Sequence, residues 1–401
     1  MATRRNRILF VNHVSKVLGG AEVNLLELMA APAATAAWEL HVACAPDSPL
    51  DSALRRLDVT RHPHSFSPAL NELRVVGRGL HLAAKIRGWR EVRRAARRLD
   101  EMIRTVRPDA VVSCTNKDHF AAGAASHGAR VPSVWWINDV VSAEFFPWPV
   151  RKVFSFRARK WAKRLAPVSD YCRSALIREG VPADRCITVH NGIPLDHYRR
   201  PTRPDGSVVP SEAGPVIGIA GRITPWKGQR LFLEVAADWI RQGHAGRFVI
   251  LGRAFNEDAP FEAELRAFVQ AHRLGTRVKF LAFQTDIAAA LAGMDVLLHC
   301  STRPEPFGRV IIEAMAVGVP VIAANAGGVP EIITHGVDGL LVPPGEKSAY
   351  VDALSRLTAD AGLRAALITA GRRTVVDRFT VGRVAADFIR LIESVVESRD
   401  H

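Results

Sequence analysis

Two carboxylates, Glu305 and Glu313, stand eight positions apart in the stretch Glu-Pro-Phe-Gly-Arg-Val-Ile-Ile-Glu. Pro304 and Pro306 on either side of Glu305 predict a turn. Glu313 falls in an apolar run whose spacing predicts a helix starting near Gly308. The amino end of such a helix presents backbone N–H groups and the positive end of the helix dipole, which suit a phosphate. A carboxylate on each side of that point can accept hydrogen bonds from hydroxyls. A ligand with hydroxyls at both ends and phosphates in the middle, a sugar nucleotide, matches the set. A carboxylate pair could also serve as an acid/base couple, but a phosphate-attracting helix start between them favours two positioning carboxylates.

A second cluster lies upstream in Gly218-Ile-Ala-Gly-Arg222-Ile-Thr-Pro-Trp-Lys227-Gly228. A predicted strand ends in glycine, and two cations follow within one turn. Arg222 and Lys227 there suit a diphosphate, the guanidinium being able to bind it in a bidentate way. Read alone, they are more simply two ordinary surface cations; the carboxylate pair downstream turns the reading to a diphosphate. Further on, Gly327-Gly328-Val329-Pro330-Glu331 places Pro330 in the first turn of a short helix, after glycines that permit close backbone approach to a ligand. Glu331 reads either as a site residue or as a favourable charge in that first turn.

The elements that must position these residues form an alternating pattern. Strands are predicted at 7–12, 39–43, 110–113, 133–137 and 186–190, with helical patterns between them. They are predicted again at 215–220, 247–251, 277–281, 296–300, 319–323 and 339–342. A final amphipathic helix is predicted over 381–397. Strands alternating with helices imply parallel α/β sheets. Residues 196–214, polar and rich in Pro and Arg, break the pattern and read as a linker. Two Rossmann-like domains follow: 1–195, with the final helix (381–401) returning to it, and 215–380. Ligands of such sheets bind beyond the carboxyl ends of the strands. At 401 residues the chain is too long for one ordinary core, which agrees with two domains.

No run approaches the roughly 20 apolar residues of a membrane-spanning helix, and the expectation is a cytoplasmic protein with its five scattered cysteines reduced. The charge is lopsided. Residues 1–200 hold 32 Lys and Arg against 18 Asp and Glu, while residues 201–401 hold 22 against 22. A basic first half beside a neutral second half predicts an anionic partner for the first; an arginine-rich solvated surface is the plain alternative.

Together these segments resemble glycosyltransferase family 4, retaining enzymes of the glycosyltransferase B fold, in which two Rossmann-like domains face a central cleft. The resemblance is carried by Gly19-Gly20-Ala21-Glu22, by Asn191-Gly192-Ile193, by Gly221-Arg222 with Lys227-Gly228, by Glu305 with Glu313, and by Gly327-Gly328-Val329-Pro330-Glu331 leading to Gly339-Leu340-Leu341-Val342-Pro343. It implies a nucleoside-diphosphate sugar as donor. Arg222 and Lys227 would hold its diphosphate and stabilise the departing nucleoside diphosphate. Glu305 would contact the donor sugar and Glu313 the ribose. The backbone of Phe307, Gly308, Arg309 and Val310 would contact sugar or phosphate oxygens, Gly20 would approach the phosphates from the first domain, and the backbone near Phe283 would read the base. The chain contains no Asp-x-Asp, so the expectation is a site with no metal and no cofactor, in which fixed cations take the metal's part. One departure stands out. The family often has a histidine after the strand matching 133–137, and this chain has Asn138, which is a candidate catalytic residue able to hydrogen-bond a sugar hydroxyl but not to exchange protons. His13 and His119 are further candidates. An epimerase or a sucrose-synthase-like enzyme of the same fold, or a non-catalytic sugar-nucleotide-binding protein, are the alternatives.

Two basic stretches bear on the acceptor. Residues 74–107 hold eleven Lys or Arg and three acids, and residues 151–164 hold seven cations, three aromatics and no acid. Basic amphipathic stretches with Trp and Phe can lie on an anionic membrane. An anionic or lipid-linked glycan acceptor, reached by peripheral contact at the inner membrane face, is the corresponding expectation. Apolar residues facing the core and cations facing water are the plain alternative. No nucleic-acid-binding module is recognisable.

Overall fold

The computed structural model describes residues 5–14, 18–67, 82–198, 214–282, 284 and 286–397. Phe283, Arg74, Arg78 and residues 199–213 of the predicted linker lie outside these. The chain divides into two compact units, Met1–Gly192 with Val381–His401, and Ile193–Thr380.

The first unit holds β1 (Asn6–Asn12), β2 (Trp38–Cys44), β3 (Thr60–Pro63), β4 (Ala110–Ser113), β5 (Ser133–Ile137) and β6 (Arg164–Pro167). They form one parallel sheet in the order β3-β2-β1-β4-β5-β6. The second unit holds β7 (Val216–Ala220), β8 (Arg247–Leu251), β9 (Val278–Leu281), β10 (Val296–His299), β11 (Val321–Ala324) and β12 (Leu340–Val342). These are parallel too, in the order β12-β11-β10-β7-β8-β9. The central strands read as unbroken apolar runs because helices cover both faces: Ile8, Leu9, Phe10 and Val11 are all fully buried. In each sheet the strand order reverses next to the unit's first strand, between β1 and β4 and between β7 and β10. The carboxyl ends at such a reversal open a crevice for ligands.

The structure corrects the predicted strands in the first unit. Residues 186–190 are not a strand. Ile187 and Val189 donate their N–H groups to the carbonyls of Leu165 and Pro167, but Pro167 has no N–H to return the bond. Only the isolated Leu165–Cys186 bridge closes. Strands β3 and β6 were not predicted. Thr-Arg-His-Pro and Arg-Leu-Ala-Pro are short, carry proline and sit at the two sheet edges, where an apolar alternation is not required.

The final helix, Val381–Glu397, belongs to the first unit. Val384, Ala385, Phe388, Leu391, Ile392 and Val395 are its buried face, spaced as a helical stripe requires. Phe388 meets the buried Trp136 of β5 edge-on, with ring centroids 4.6 Å apart. All five cysteines are free thiols and buried. Among the described residues no helix is long and apolar enough to cross a membrane.

Candidate functional site

In the second unit the turn after β7 brings Lys227 to the end of β10. Pro225–Lys227 form one tight turn, and Gly228 opens the helix Gln229–Arg241. A Cβ at Gly228 would fall 1.8 Å from the carbonyl oxygen of Cys300, so glycine is what lets this turn close on β10. The Lys227 ammonium lies 2.7 Å from both carboxylate oxygens of Glu305 and 4.4 Å from the centre of the Trp226 ring. Two of its three N–H groups are thereby directed at Glu305, and one remains for an anion.

Glu305 is buried, and two further side chains hold it. Ser301 Oγ donates to Oε2 at 2.9 Å, and His299 Nε2 stands 3.3 Å from the same oxygen. Tyr350 donates to the carbonyl of His299 at 2.9 Å and so fixes the end of β10. Burial alone would raise the pKa of Glu305. The Lys227 charge, together with His299, outweighs it and holds the carboxyl well below the usual range. Glu305 is therefore ionised and acceptor-only at neutral pH, which suits binding hydroxyls and unsuits it as an acid. His299 Nδ1 is buried and meets no partner among the described residues.

The two glycines of Gly327-Gly328 approach Glu305. Gly328 N–H donates to the Glu305 carbonyl at 2.8 Å, and Gly327 pairs with Glu305 in an isolated parallel bridge. Their close backbone contact is thus with the residue that carries the carboxylate. Glu331 lies in the first turn of the short helix Val329–Ile332.

Phe307 is buried and packs edge-on against Phe379, with centroids 5.6 Å apart. Gly308 caps the helix Arg309–Val317, whose first turn includes Val310. Glu313, one turn further on, is buried. Its Oε1 accepts from Arg309 Nε at 2.7 Å and from the Tyr198 hydroxyl at 3.2 Å. Arg222 has its Nε 3.7 Å from Asp258 Oδ2 and its guanidinium 5.1 Å from the centre of the Phe255 ring. The fold thus brings Lys227 and Glu305 into contact, and gives Arg222 and Glu313 partners of their own.

Sequence reasoning missed His299, Ser301, Tyr198, Phe255 and Asp258. For His299 and Ser301 a signal was present. They are polar residues at the end of the apolar run Val-Leu-Leu of β10, where a parallel strand delivers side chains to a site. The others come from loops and short helices that no periodicity marks.

In the first unit Gly20 opens the helix Gly20–Ala30, and a Cβ there would meet nothing within 4 Å. Asn138, just after β5, donates through Nδ2 to the carbonyls of Cys114 and Trp136, both at 3.3 Å. His119 turns inward. It stacks on Trp135 at 5.0 Å, bonds Ser113 Oγ at 2.7 Å, and burial pushes its pKa down to about 3. It packs as a core residue.

The second unit thus sets a partly buried Lys–Glu pair beside a helix start at its strand reversal, and the family of the chain follows from its matches to known proteins. Residues 18–197 match the family described as Glycosyltransferase Family 4, and residues 206–374 match Glycosyl transferases group 1. The chain belongs to the family 4 glycosyltransferases. It is 32% identical to the 2-deoxystreptamine glucosyltransferase of Streptomyces kanamyceticus over 44% of this chain and 45% of that protein. It is 34% identical to the D-inositol 3-phosphate glycosyltransferase of Jonesia denitrificans over 49% of this chain and 47% of that protein. The chain thus matches about half the length of these curated relatives. Among solved structures, Anabaena Alr3699/HepE in complex with UDP and glucose superposes with a TM-score of 0.82 at 26% identity, covering 97% of this chain and 100% of that one.

Proposed function

We propose that this protein transfers a sugar, with retention of configuration, from a nucleoside-diphosphate sugar to a hydroxyl of a glycan or lipid-linked glycan. The observation that carries the reading is the Lys227–Glu305 pair at the strand reversal of the second unit. Breaking a sugar–phosphate bond builds negative charge on the leaving diphosphate, and a fixed ammonium lowers that barrier. Glu305, kept ionised, accepts hydrogen bonds from donor hydroxyls. Glu313 has the chemistry to do the same for a ribose, Arg222 adds a second cation for the diphosphate, and the Arg309–Val317 helix start supplies N–H groups. With two cations present, the reading assigns leaving-group stabilisation to the protein and calls for no metal or cofactor. Uracil is the first base to test, because HepE was crystallised with UDP, with UDP and glucose, and with UDP-glucose.

A thermal-shift panel of uridine, guanosine, adenosine and thymidine diphosphate sugars tests the donor. At ligand a hundred times its dissociation constant, stabilisation is about 2.7 kcal/mol, several degrees in melting temperature. If no nucleotide sugar shifts the transition, the donor assignment is wrong. Adding a chelator to the best donor, with turnover unchanged, is the expected result for a site without metal.

The acceptor side is proposed to meet an anionic membrane surface. On the helix Trp148–Trp161, Phe154, Ser155 and Ala158 face the core. Trp148 and Phe156 are 62% and 53% exposed. They share the outward side with Lys152, Arg159 and Lys160, and exposed Lys163 follows the helix. Apolar rings turned to solvent among cations are what an interfacial helix presents, whereas a merely solvated face would have no use for them. Cosedimentation with phosphatidylglycerol vesicles at low salt, weakened by Trp148→Ala with Phe156→Ala and absent with phosphatidylcholine, is expected. Equal binding to both vesicle types, or to neither, would refute the membrane contact.

A further inference from the structure

The first unit carries a buried network at its own strand reversal that the donor site does not use. His13 follows the last residue of β1, and Asp118 stands in the first turn of the helix Asn116–Ala129, which follows β4. Asp118 is wholly buried, yet four donors converge on it. Its Oδ2 accepts from the His13 backbone N–H at 3.0 Å, from the His13 ring Nδ1 at 2.9 Å and from Thr115 Oγ1 at 2.8 Å. Its Oδ1 accepts from His64 Nε2 at 2.9 Å. Phe66 closes edge-on against both rings, 4.7 Å from His13 and 5.4 Å from His64.

This arrangement fixes more than a helix end. A Thr115 cap and an acid in the first turn would account for one contact. They leave unexplained why the same carboxylate takes two imidazoles and a backbone N–H from another strand. Burial opposes its charge, and the contacts with His13 and His64 outweigh that and keep Asp118 far below the usual carboxylate range. An ionised carboxylate only accepts, so the His13 ring carries a proton on Nδ1, and its neutral tautomer presents a lone pair at Nε2. Among the described residues nothing bonds that Nε2, and His13 keeps 8% of its surface exposed. A ring pinned at one nitrogen, with the other open at the carboxyl end of the central strand, is an oriented hydrogen-bond acceptor.

We propose that His13 belongs to the acceptor site of the first unit, where its Nε2 accepts a hydrogen bond from a hydroxyl of the sugar acceptor. Asp118 is then a positioning residue, and His64 and Thr115 hold it in turn. The proposal rests on the sugar-transfer reading above and deepens it by naming what meets the acceptor.

The test uses the full chain labelled with 15N-histidine, with glycerol and D-glucose as hydroxyl probes. Expected are a His13 proton on Nδ1 and an Nε2 resonance that moves on adding either polyol. Asp118→Asn, whose amide can offer N–H to the ring, should move the proton to Nε2 and abolish that response, a change that a merely structural role would not couple to polyol. In parallel, His13→Ala should raise the glycerol concentration that half-saturates UDP release from UDP-glucose by at least ~5-fold, the scale of losing one hydrogen bond, while UDP binding by calorimetry stays as in the wild type. An Nε2 resonance indifferent to both polyols overturns the proposal, as does an unchanged glycerol half-saturation in His13→Ala. If the wild type does not bind UDP, the donor reading fails, and the polyol response of His13 still decides this one. Should Asp118→Asn not fold, His13→Ala and the wild-type titration suffice.

Discussion

Lys227→Ala should reduce turnover of the nucleotide sugar by at least ~100-fold, the scale on which removal of one transition-state charge stabiliser acts. The same change has a second consequence, because it strips the cation from a buried carboxylate. With Lys227 gone, burial is opposed only by His299 and Ser301, and the pKa of Glu305 rises. Breaking a fully buried ion pair is worth about 3–5 kcal/mol. The Lys227 side chain is 23% exposed, so the loss here is nearer to ~2 kcal/mol. The sign with pH follows. The depressed pKa of Glu305 stabilises the wild type above the unfolded carboxylate value near 4.5, and that contribution is lost as pH falls below it. The mutant lacks it at neutral pH, so wild type and mutant should converge in stability in acid. A double variant, Lys227→Ala with Glu305→Gln, separates the two effects. It removes the unpaired charge and should recover much of the lost stability, yet it should recover no turnover. Recovery of turnover along with stability would show that Lys227 merely neutralises Glu305 and does not serve the leaving group. Lys227→Arg, which keeps the charge but not the compact ammonium geometry, should fall between.

How much of this was legible in the sequence differs between residues for identifiable reasons. Strands β4, β5 and β8 have the predicted bounds, because a strand buried on both faces reads as a short, nearly continuous apolar run that stands out from the residues around it. Glu305 and Lys227 stood out as charges beside proline and glycine, where a loop must hold a charge near a strand end. Their direct contact did not, since it depends on Gly228 allowing the turn after β7 to reach Cys300. His299 and Ser301 were readable as polar residues ending an apolar strand and went unread. Asp118 was not readable at all. Its meaning lies in two histidines 105 and 54 positions away along the chain, which only the order of β3, β2, β1 and β4 brings to one point. The sequence marked Gly327-Gly328 for close approach to a ligand, whereas what the two glycines approach is the backbone of Glu305.

That last contact carries the second large effect. Gly327 has φ +68°, and a Cβ there would sit 2.2 Å from the carbonyl oxygen and 2.5 Å from the nitrogen of Glu305. Alanine must therefore bear the left-handed conformation, about 1–2 kcal/mol, and also push against backbone, for which overpacking of about 1–3 kcal/mol is typical. Backbone cannot rotate away as a side-chain tip can, so part of the strain should be relieved by moving Glu305. The melting transition of Gly327→Ala should fall by roughly 5–10 °C for a unit of this size. Turnover should drop by about 100-fold, as a displacement near 1 Å of a positioning group does. The comparison that isolates the contact is Gly336→Ala. Gly336 has a similar φ of +76° but open space around its Cβ direction, so that variant bears the conformational cost alone and should keep its turnover. If the two alanine variants lose stability equally and both stay active, the glycine at 327 serves only its own turn, and the position of Glu305 is set by Ser301, His299 and Lys227. If Gly327→Ala alone loses activity, and more than its stability loss explains at a temperature where it is folded, then the Gly-Gly segment acts as the backbone clamp that sets where the carboxylate meets the donor.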